Sequence, residues 1–167
     1  MTDKKTVAIV PGSFDPITYG HLFLITEAAQ KYDKVFVAVM INSNKQYTFS
    51  LEERTDIAKS AVKNISNVEV ISSDGWLYEL ANTLGADVIV KGYRNEADLK
   101  YEKEMAEFNS KHAKNTETIL IKSPEELSEL SSTLVRDKMN NKNDINDFLP
   151  QDAILEIEKI LINRNKE

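Results

Sequence analysis

The sequence contains no cysteine, only two histidines and only five glycines among its 167 residues. The absence of cysteine excludes disulfides, a thiolate nucleophile and thiolate-ligated zinc. The two histidines, His21 and His112, are too few for a histidine-based metal site, so we expect no metal held by protein side chains. The chemistry of this chain must therefore use oxygen and nitrogen groups.

The chain also lacks an excess of basic residues and any long apolar run. Lysine and arginine total 21 against 27 acidic residues, which gives a net charge of −6. A nucleic acid or an anionic membrane would need a broad basic surface, so we expect neither as a partner. The first apolar run has about six residues, too few for a signal-peptide core or for a membrane span of about 20 residues. We therefore predict a cytoplasmic protein.

Length and composition predict one folding unit. A chain of 167 residues with 41% hydrophobic residues falls within the range of roughly 100–200 residues for a single domain. No internal repeat, flexible linker or low-complexity tract interrupts it. We predict a single domain over residues 1–167, with an irregular polar tail over about 163–167.

Apolar runs of strand length alternate with segments patterned as helices. The predicted strands are 6–10, 34–41, 67–72, 86–91 and 117–121. The predicted helices follow His21, follow a Ser50–Glu53 capping box, cover 75–84, 96–112 and about 131–139, and begin near Pro150. This order predicts an α/β fold: a Rossmann-like, doubly wound parallel sheet of five strands with C-terminal helices. Ligands of such sheets bind at the carboxyl ends of the strands, where the strand order reverses.

The segment Pro11–His21 joins the first predicted strand to the first helix. A loop that ends at a helix N-terminus offers backbone N–H groups and a positive dipole to an anion, which indicates a phosphate ester as ligand. Thr18 and His21 place a hydroxyl and an imidazole at the helix start, where both can face an oxyanion. The structural alternative is that His21 only stabilises the start of the helix.

Cationic and hydroxyl side chains follow the other predicted strands and the loop before the fifth helix. Lys45 comes after the second strand, and Lys91 and Arg94 lie around the end of the fourth. The hydroxyls of 131–133 can donate to phosphates, although helix capping explains them equally well. These groups predict one phosphate-binding edge.

Four motifs in order resemble the bacterial phosphopantetheine adenylyltransferases, a family within the nucleotidyltransferases that share a T-x-G-H motif. The motifs are Pro11–His21, Phe49–Arg54, Gly92–Glu102 and Ser131–Arg136, and the resemblance spans about residues 5–160. It implies reversible transfer of AMP from ATP to 4′-phosphopantetheine, which gives dephospho-CoA and pyrophosphate in coenzyme A biosynthesis. It also implies Mg²⁺ carried with ATP, feedback inhibition by CoA and a homohexamer.

The resemblance also assigns roles to individual residues. Those implied as catalytic are His21, which would stabilise the transition state, and Thr18, Lys45 and Arg94. Those implied to bind the acceptor are Ser13, Lys45, Leu77 and Lys91. Those implied to bind ATP are Ser13, Phe14, His21, Gly92, Tyr93, Arg94, Glu102, Leu127, Ser128, Glu129, Leu130, Ser131, Ser132 and Thr133.

Three positions depart from the pattern of the family. Ser13 stands where threonine is usual and keeps the hydroxyl. Lys91 replaces an arginine, which keeps the charge but not a bidentate fork. Leu127 replaces an aromatic residue and so removes a ring contact with the nucleotide. Without the resemblance, core packing would explain Leu77, and a position on a solvated helix face would explain Glu102.

Two other functions remain open from the residues. One is a related nucleotidyltransferase that uses nicotinate mononucleotide, or glycerol 3-phosphate with a cytidine nucleotide. The other is a non-catalytic module that senses ATP or CoA. The presence of His21, Lys45 and Arg94 favours an enzyme, because a sensor needs no transition-state donors.

Overall fold

The computed structural model describes residues 4–167, so the first three residues of the predicted domain lie outside the described part. The strands are β1 (Val7–Gly12), β2 (Lys34–Met40), β3 (Val68–Ser73), β4 (Val88–Tyr93) and β5 (Glu117–Lys122). The helices are α1 (Tyr19–Lys31), α2 (Leu51–Val62), α3 (Leu77–Leu84), α4 (Glu96–His112), α5 (Ser132–Asn140) and α6 (Gln151–Asn165), with a short 3₁₀ helix at Glu125–Leu127.

The strands form one parallel sheet in the order β3-β2-β1-β4-β5. The order reverses between β1 and β4, which confirms the predicted doubly wound α/β fold. One face of the sheet packs mainly against α1, α2, α5 and α6, and the other packs mainly against α3 and the end of α4. No helix within residues 4–167 is both long and apolar enough to cross a membrane.

The element boundaries differ from the prediction in ways that have local causes. β1 continues through Pro11 and Gly12, because these residues pair with Ala38 and Val39 of β2. β4 extends to Tyr93, so Gly92 lies inside the strand rather than in a loop. There an added Cβ would lie 2.7 Å from Leu24 Cδ1, so glycine lets α1 pack closely on β4.

The predicted irregular tail from residue 163 is wrong at its start, because α6 continues to Asn165. Within α6, Arg164 donates from Nη2 to Glu53 Oε1 at 2.6 Å and to the Thr48 carbonyl at 2.8 Å. Glu53 also completes the Ser50 capping box of α2, as predicted. The last turn of α6 is thus fastened to the loop before α2, which a polar composition does not reveal.

Candidate active site

The predicted site lies at the carboxyl edge of the sheet, at the gap between β1 and β4. Thr18 is the N-cap of α1, and its Oγ1 accepts from the Gly20 N–H at 3.2 Å. Ser131 is the N-cap of α5, and its Oγ accepts from the Leu134 N–H at 3.1 Å. Two helix N-termini therefore face this edge with their positive ends, which favours anions.

The His21 side chain caps α1 and faces the site at the same time. Its Nδ1 accepts a hydrogen bond of 2.9 Å from the Thr18 backbone N–H. Because Nδ1 is an acceptor, the neutral ring carries its proton on Nε2 and can donate it to a ligand. The Phe14 ring and the imidazole pack in an edge-to-face arrangement, with centroids 4.9 Å apart. The structural and functional interpretations of His21 are therefore compatible.

Burial is the main cause that lowers the pKa of His21 to about 4, and the positive charges of Lys91 and Arg94 contribute the rest of the shift. Since this folded pKa lies below the value of 6.5 for a free histidine, the unfolded chain takes up the proton first as the pH falls. The contribution to stability is complete above pH 6.5 and is lost as the pH falls toward 4. At neutral pH the ring is an uncharged donor.

Replacing Lys91 by methionine is expected to raise the pKa of His21 above 4 but to leave it below 6.5, because burial is the larger cause of the shift. The measurement is an NMR titration of the ring nitrogens, with His112 replaced by asparagine to simplify the spectrum. Lys100→Met removes the same charge from an exposed position of α4 and serves as the control. An unchanged or lower midpoint for His21 in the Lys91 variant contradicts this electrostatic coupling.

Two cavities meet at His21 and Ser132, which line both of them. The first, here the Arg94 cavity, encloses about 240 Å³, and the second, the Lys45 cavity, about 440 Å³. The Arg94 cavity is lined by Thr18, Gly20, His21, Leu24, Gly92, Arg94, Asp98, Ser123, Leu127, Leu130, Ser131 and Ser132. The Lys45 cavity is lined by Ser13, Phe14, Asp15, His21, Lys45, Gln46, Tyr47, Ser132, Thr133 and Arg136.

The structure brings most of the predicted site residues to these two cavities, but not all of them. The predicted residues outside both linings are Leu77, Lys91, Tyr93, Glu102, Ser128 and Glu129. Leu77 packs against the core cluster under α3. Lys91 Nζ lies 3.4 Å from Glu102 Oε1, which joins two predicted contacts with different substrates into one ion pair. Lys91 still acts on the site through its charge at His21.

Arg94 is held in place by Asp98, which sequence reasoning treated only as part of a motif. Arg94 Nε donates to Asp98 Oδ2 at 3.0 Å, and its backbone N–H donates to the same oxygen at 3.1 Å. Burial tends to raise the pKa of Asp98, but the hydrogen bonds and charge of Arg94 lower it on balance. These bonds engage Nε and do not occupy the two Nη groups of Arg94.

Sequence reasoning did not assign a role to Asp15 or Arg136, and both line the Lys45 cavity. The buried Asp15 carboxylate accepts from the backbone N–H groups of Thr48 and Phe49, each at 3.0 Å. Arg136 Nη1 donates to the Asp15 carbonyl at 2.9 Å. The signal that could have found Arg136 is its place in the motif Ser131–Arg136, one turn after the predicted hydroxyls.

Arg54 is the largest fully buried side chain in the described residues, with 1% of its surface exposed. Its Nη1 donates to the Ser13 carbonyl at 2.8 Å and to the Met40 carbonyl at 2.9 Å, and its Nε donates to the Phe49 carbonyl at 3.2 Å. The guanidinium thus joins the ends of β1 and β2 to the loop before α2. Because every residue has a backbone carbonyl, the sequence does not indicate which carbonyls Arg54 binds.

Within residues 4–167, no group of three or more histidine, aspartate or glutamate side chains is placed to hold a metal ion. The acidic residues at the site, Asp15 and Asp98, are engaged with backbone N–H groups and with arginines. The chemistry of this donor set does not fit a metal centre built from protein side chains.

Comparison with known proteins identifies the family of this chain and agrees with its fold. A family model described as cytidylyltransferase-like matches residues 9–138. A phosphopantetheine adenylyltransferase of Lactobacillus acidophilus is 45% identical over 157 residues, which cover 93% of this chain and 98% of the relative. A protein of the same name from Clostridium perfringens is 40% identical over 161 residues, or 96% and 98% of the two chains.

A solved structure from Vibrio parahaemolyticus, provisionally described as a nicotinate-nucleotide adenylyltransferase, has the same fold. It superposes with a TM-score of 0.69 at 19% identity and covers 93% of each chain. At that identity the likeness concerns the fold alone. The two relatives above match nearly end to end and at much higher identity. The chain therefore belongs to the cytidylyltransferase-like family and, within it, to the phosphopantetheine adenylyltransferases.

Proposed function

We propose that this chain transfers the adenylyl group of ATP to 4′-phosphopantetheine, giving dephospho-CoA and pyrophosphate. The observation that carries the proposal is that His21 and Ser132 line both cavities, so two phosphate groups can meet at one shared wall. The Arg94 cavity would take the phosphates of ATP. The Lys45 cavity would take the phosphate of the acceptor.

In this reaction an oxygen of the acceptor phosphate attacks the α-phosphorus of ATP. A new P–O bond forms, the bond to the β-phosphate breaks, and its electron pair leaves with pyrophosphate. The attacking phosphate is already an anion at neutral pH, so no side chain is required as nucleophile or general base. Catalysis then consists of alignment and charge stabilisation.

The residues at the shared wall supply both of these effects. The Nε2–H of His21 would donate to an oxygen of the α-phosphate, where negative charge grows in the transition state. Arg94, the Ser131 hydroxyl and the N-terminus of α5, including the backbone N–H of Ser132, would stabilise the β- and γ-phosphates. The Ser132 hydroxyl donates to the Pro16 carbonyl at 2.8 Å. Thr18 supports this arrangement as the N-cap of α1 and as the partner of Nδ1.

On the acceptor side, Ser13 and Lys45 would hold the phosphate, and Arg136 adds a cation to the same cavity. We propose that the remaining predicted ATP contacts bind the nucleotide; they are Gly92, Tyr93 and the loop 127–133. Leu77 would line the path of the pantetheine arm and Lys91 would contact the acceptor, whereas Glu102, which forms an ion pair with Lys91, would contact ATP. Position supports the assignments of Gly92, Leu127 and Leu130, which line the Arg94 cavity, whereas the residues outside both cavities are assigned on the family pattern alone.

Four further properties are proposed on the family resemblance. Mg²⁺ would arrive with ATP, coordinated by phosphate and water oxygens, because the described residues offer no metal cluster of their own. Coenzyme A would act as a feedback inhibitor at the same site. The enzyme would be a homohexamer and would work in the cytoplasm.

The proposed acceptor is tested by pyrophosphate release with ATP and Mg²⁺ over a panel of 4′-phosphopantetheine, nicotinate mononucleotide and glycerol 3-phosphate, the last also with CTP. Of the three acceptors, only 4′-phosphopantetheine is expected to cause pyrophosphate release, together with a product of the mass of dephospho-CoA. Pantetheine without its phosphate is the matched control and should be inert, because it lacks the phosphate oxygen that attacks the α-phosphorus. Release with another acceptor only, or ATP binding without any release, contradicts the proposed function.

A further inference from the structure

The loop that carries Lys45 is short and mostly exposed to solvent. After β2 the chain turns at Asn42, where the Lys45 N–H donates to the Asn42 carbonyl at 3.0 Å and the Asn44 N–H donates to Asn42 Oδ1 at 3.0 Å. Residues 41–46 are all exposed. Water competes for hydrogen bonds in this setting, so the turn needs another contact to fix the position of Lys45.

Tyr47 supplies that contact, because its side chain forms a hydrogen bond with Asn42 near the start of the loop. Its hydroxyl oxygen accepts the Asn42 N–H at 2.7 Å. Its ring lies on the guanidinium of Arg54, with 3.8 Å from Cζ to the ring centroid. Arg54 is buried, and it donates to the carbonyls of Ser13, directly after β1, and Met40, at the end of β2. The Tyr47 ring therefore has a rigid support.

The groups around the Tyr47 hydroxyl act on its pKa in opposite directions. Burial tends to raise the pKa of Tyr47, but hydrogen bonds with Ser13 and Asn42 and the charges of Arg54 and Lys45 lower it on balance. The hydroxyl also donates to the Asn42 carbonyl at 3.4 Å, so the Tyr47 oxygen contacts both backbone polar groups of Asn42.

We propose that Tyr47 is a positioning residue for the acceptor phosphate: stacked on Arg54, it fixes Asn42 and thereby the loop that holds Lys45 in the Lys45 cavity. This inference rests on the proposed function, in which Lys45 binds that phosphate. Tyr47 acts through Lys45 and takes no part in the bonds that form or break. Its loss should therefore weaken acceptor binding more than it slows turnover.

Tyr47→Phe removes the hydroxyl and keeps the ring on Arg54, so it tests the loop contact alone. We expect the KM for 4′-phosphopantetheine to rise roughly fivefold to tenfold, as for the loss of one hydrogen bond, with kcat, the KM for ATP and the Tm nearly unchanged. Tyr32→Phe removes a hydroxyl from a half-buried tyrosine at the opposite edge of the sheet and is the matched control. Equal changes in the KM values of both substrates overturn the inference.

A double-mutant cycle distinguishes action through Lys45 from a direct effect. If Tyr47 works by placing Lys45, then Tyr47→Phe has no further effect on the acceptor KM in a chain that already carries Lys45→Met. The same fold-change in both backgrounds overturns the inference.

Hydrogen exchange provides a measurement that needs no substrate. In Tyr47→Phe the amide of Asn42 loses its acceptor, so exchange at Asn42 and Lys45 is expected to accelerate several-fold while exchange in β2 stays as in the parent. Unchanged exchange at both amides overturns the inference. If the parent does not react with 4′-phosphopantetheine, the proposed function fails, whereas the exchange result still decides whether Tyr47 fixes the loop.

Discussion

Replacing His21 by alanine is expected to lower kcat by about 10²–10³-fold, with a much smaller loss of affinity for ATP. The reason is that the Nε2–H would meet an oxygen of the α-phosphate most strongly when charge accumulates there in the transition state. The measurement is steady-state pyrophosphate release over a range of ATP concentrations, together with ATP binding by calorimetry.

The chain offers a direct control for this change, because it contains only one other histidine, His112. His112 stacks on Tyr78 at the end of α4, with ring centroids 4.6 Å apart, and lies outside both cavities. His112→Ala is expected to retain the parent turnover. His21→Gln, which keeps an N–H donor, should fall between the parent and His21→Ala. Equal turnover in His21→Ala and the parent removes His21 from the mechanism.

Replacing Arg54 by leucine is expected to destabilise the fold by about 3 kcal/mol, because the carbonyls of Ser13, Met40 and Phe49 lose their donor. For a chain of this length the Tm should fall by roughly 10 °C. The measurements are thermal unfolding by calorimetry and urea unfolding at constant temperature. Arg54→Lys keeps the charge but not the planar fork, so we expect an intermediate loss.

Arg164→Leu is the matched control for Arg54. Arg164 also donates to a carbonyl, that of Thr48, and also lies over an aromatic ring, that of Phe49 at 5.2 Å. Its side chain is 38% exposed, however, and surface contacts of this kind contribute about 0–1 kcal/mol. A loss in Arg54→Leu no larger than that in Arg164→Leu would contradict the role of burial.

The fold could be predicted because its signals are local. Apolar runs placed every strand within two residues of its position, and the Ser50 capping box predicted the start of α2. His21 was identified because its motif combines a strand end, a helix start and a rare side chain. Each of these signals lies within about ten residues, where sequence patterns are informative.

The parts that could not be predicted depend on contacts between distant residues. Arg54 binds backbone carbonyls, which every residue possesses, so no sequence pattern distinguishes its partners. The pairing of Lys91 with Glu102 follows from the way α4 lies on β4. The extra length of α6 depends on Arg164, whose partner Glu53 is 111 positions earlier in the chain. Tertiary packing decides all three.

Two arginines near the C-terminal end of the sequence hold loops of the site that are synthesised early in translation. Arg136 donates to Asp15, 121 positions earlier, and Arg164 donates to Thr48, 116 positions earlier. A ribosome therefore makes the loops of Asp15 and Thr48 long before it makes the arginines that hold them. A partly synthesised chain can pair β1 with β2, yet it cannot complete the pocket. Both cavities are lined by residues between Leu127 and Arg136, so they are complete only near the end of synthesis.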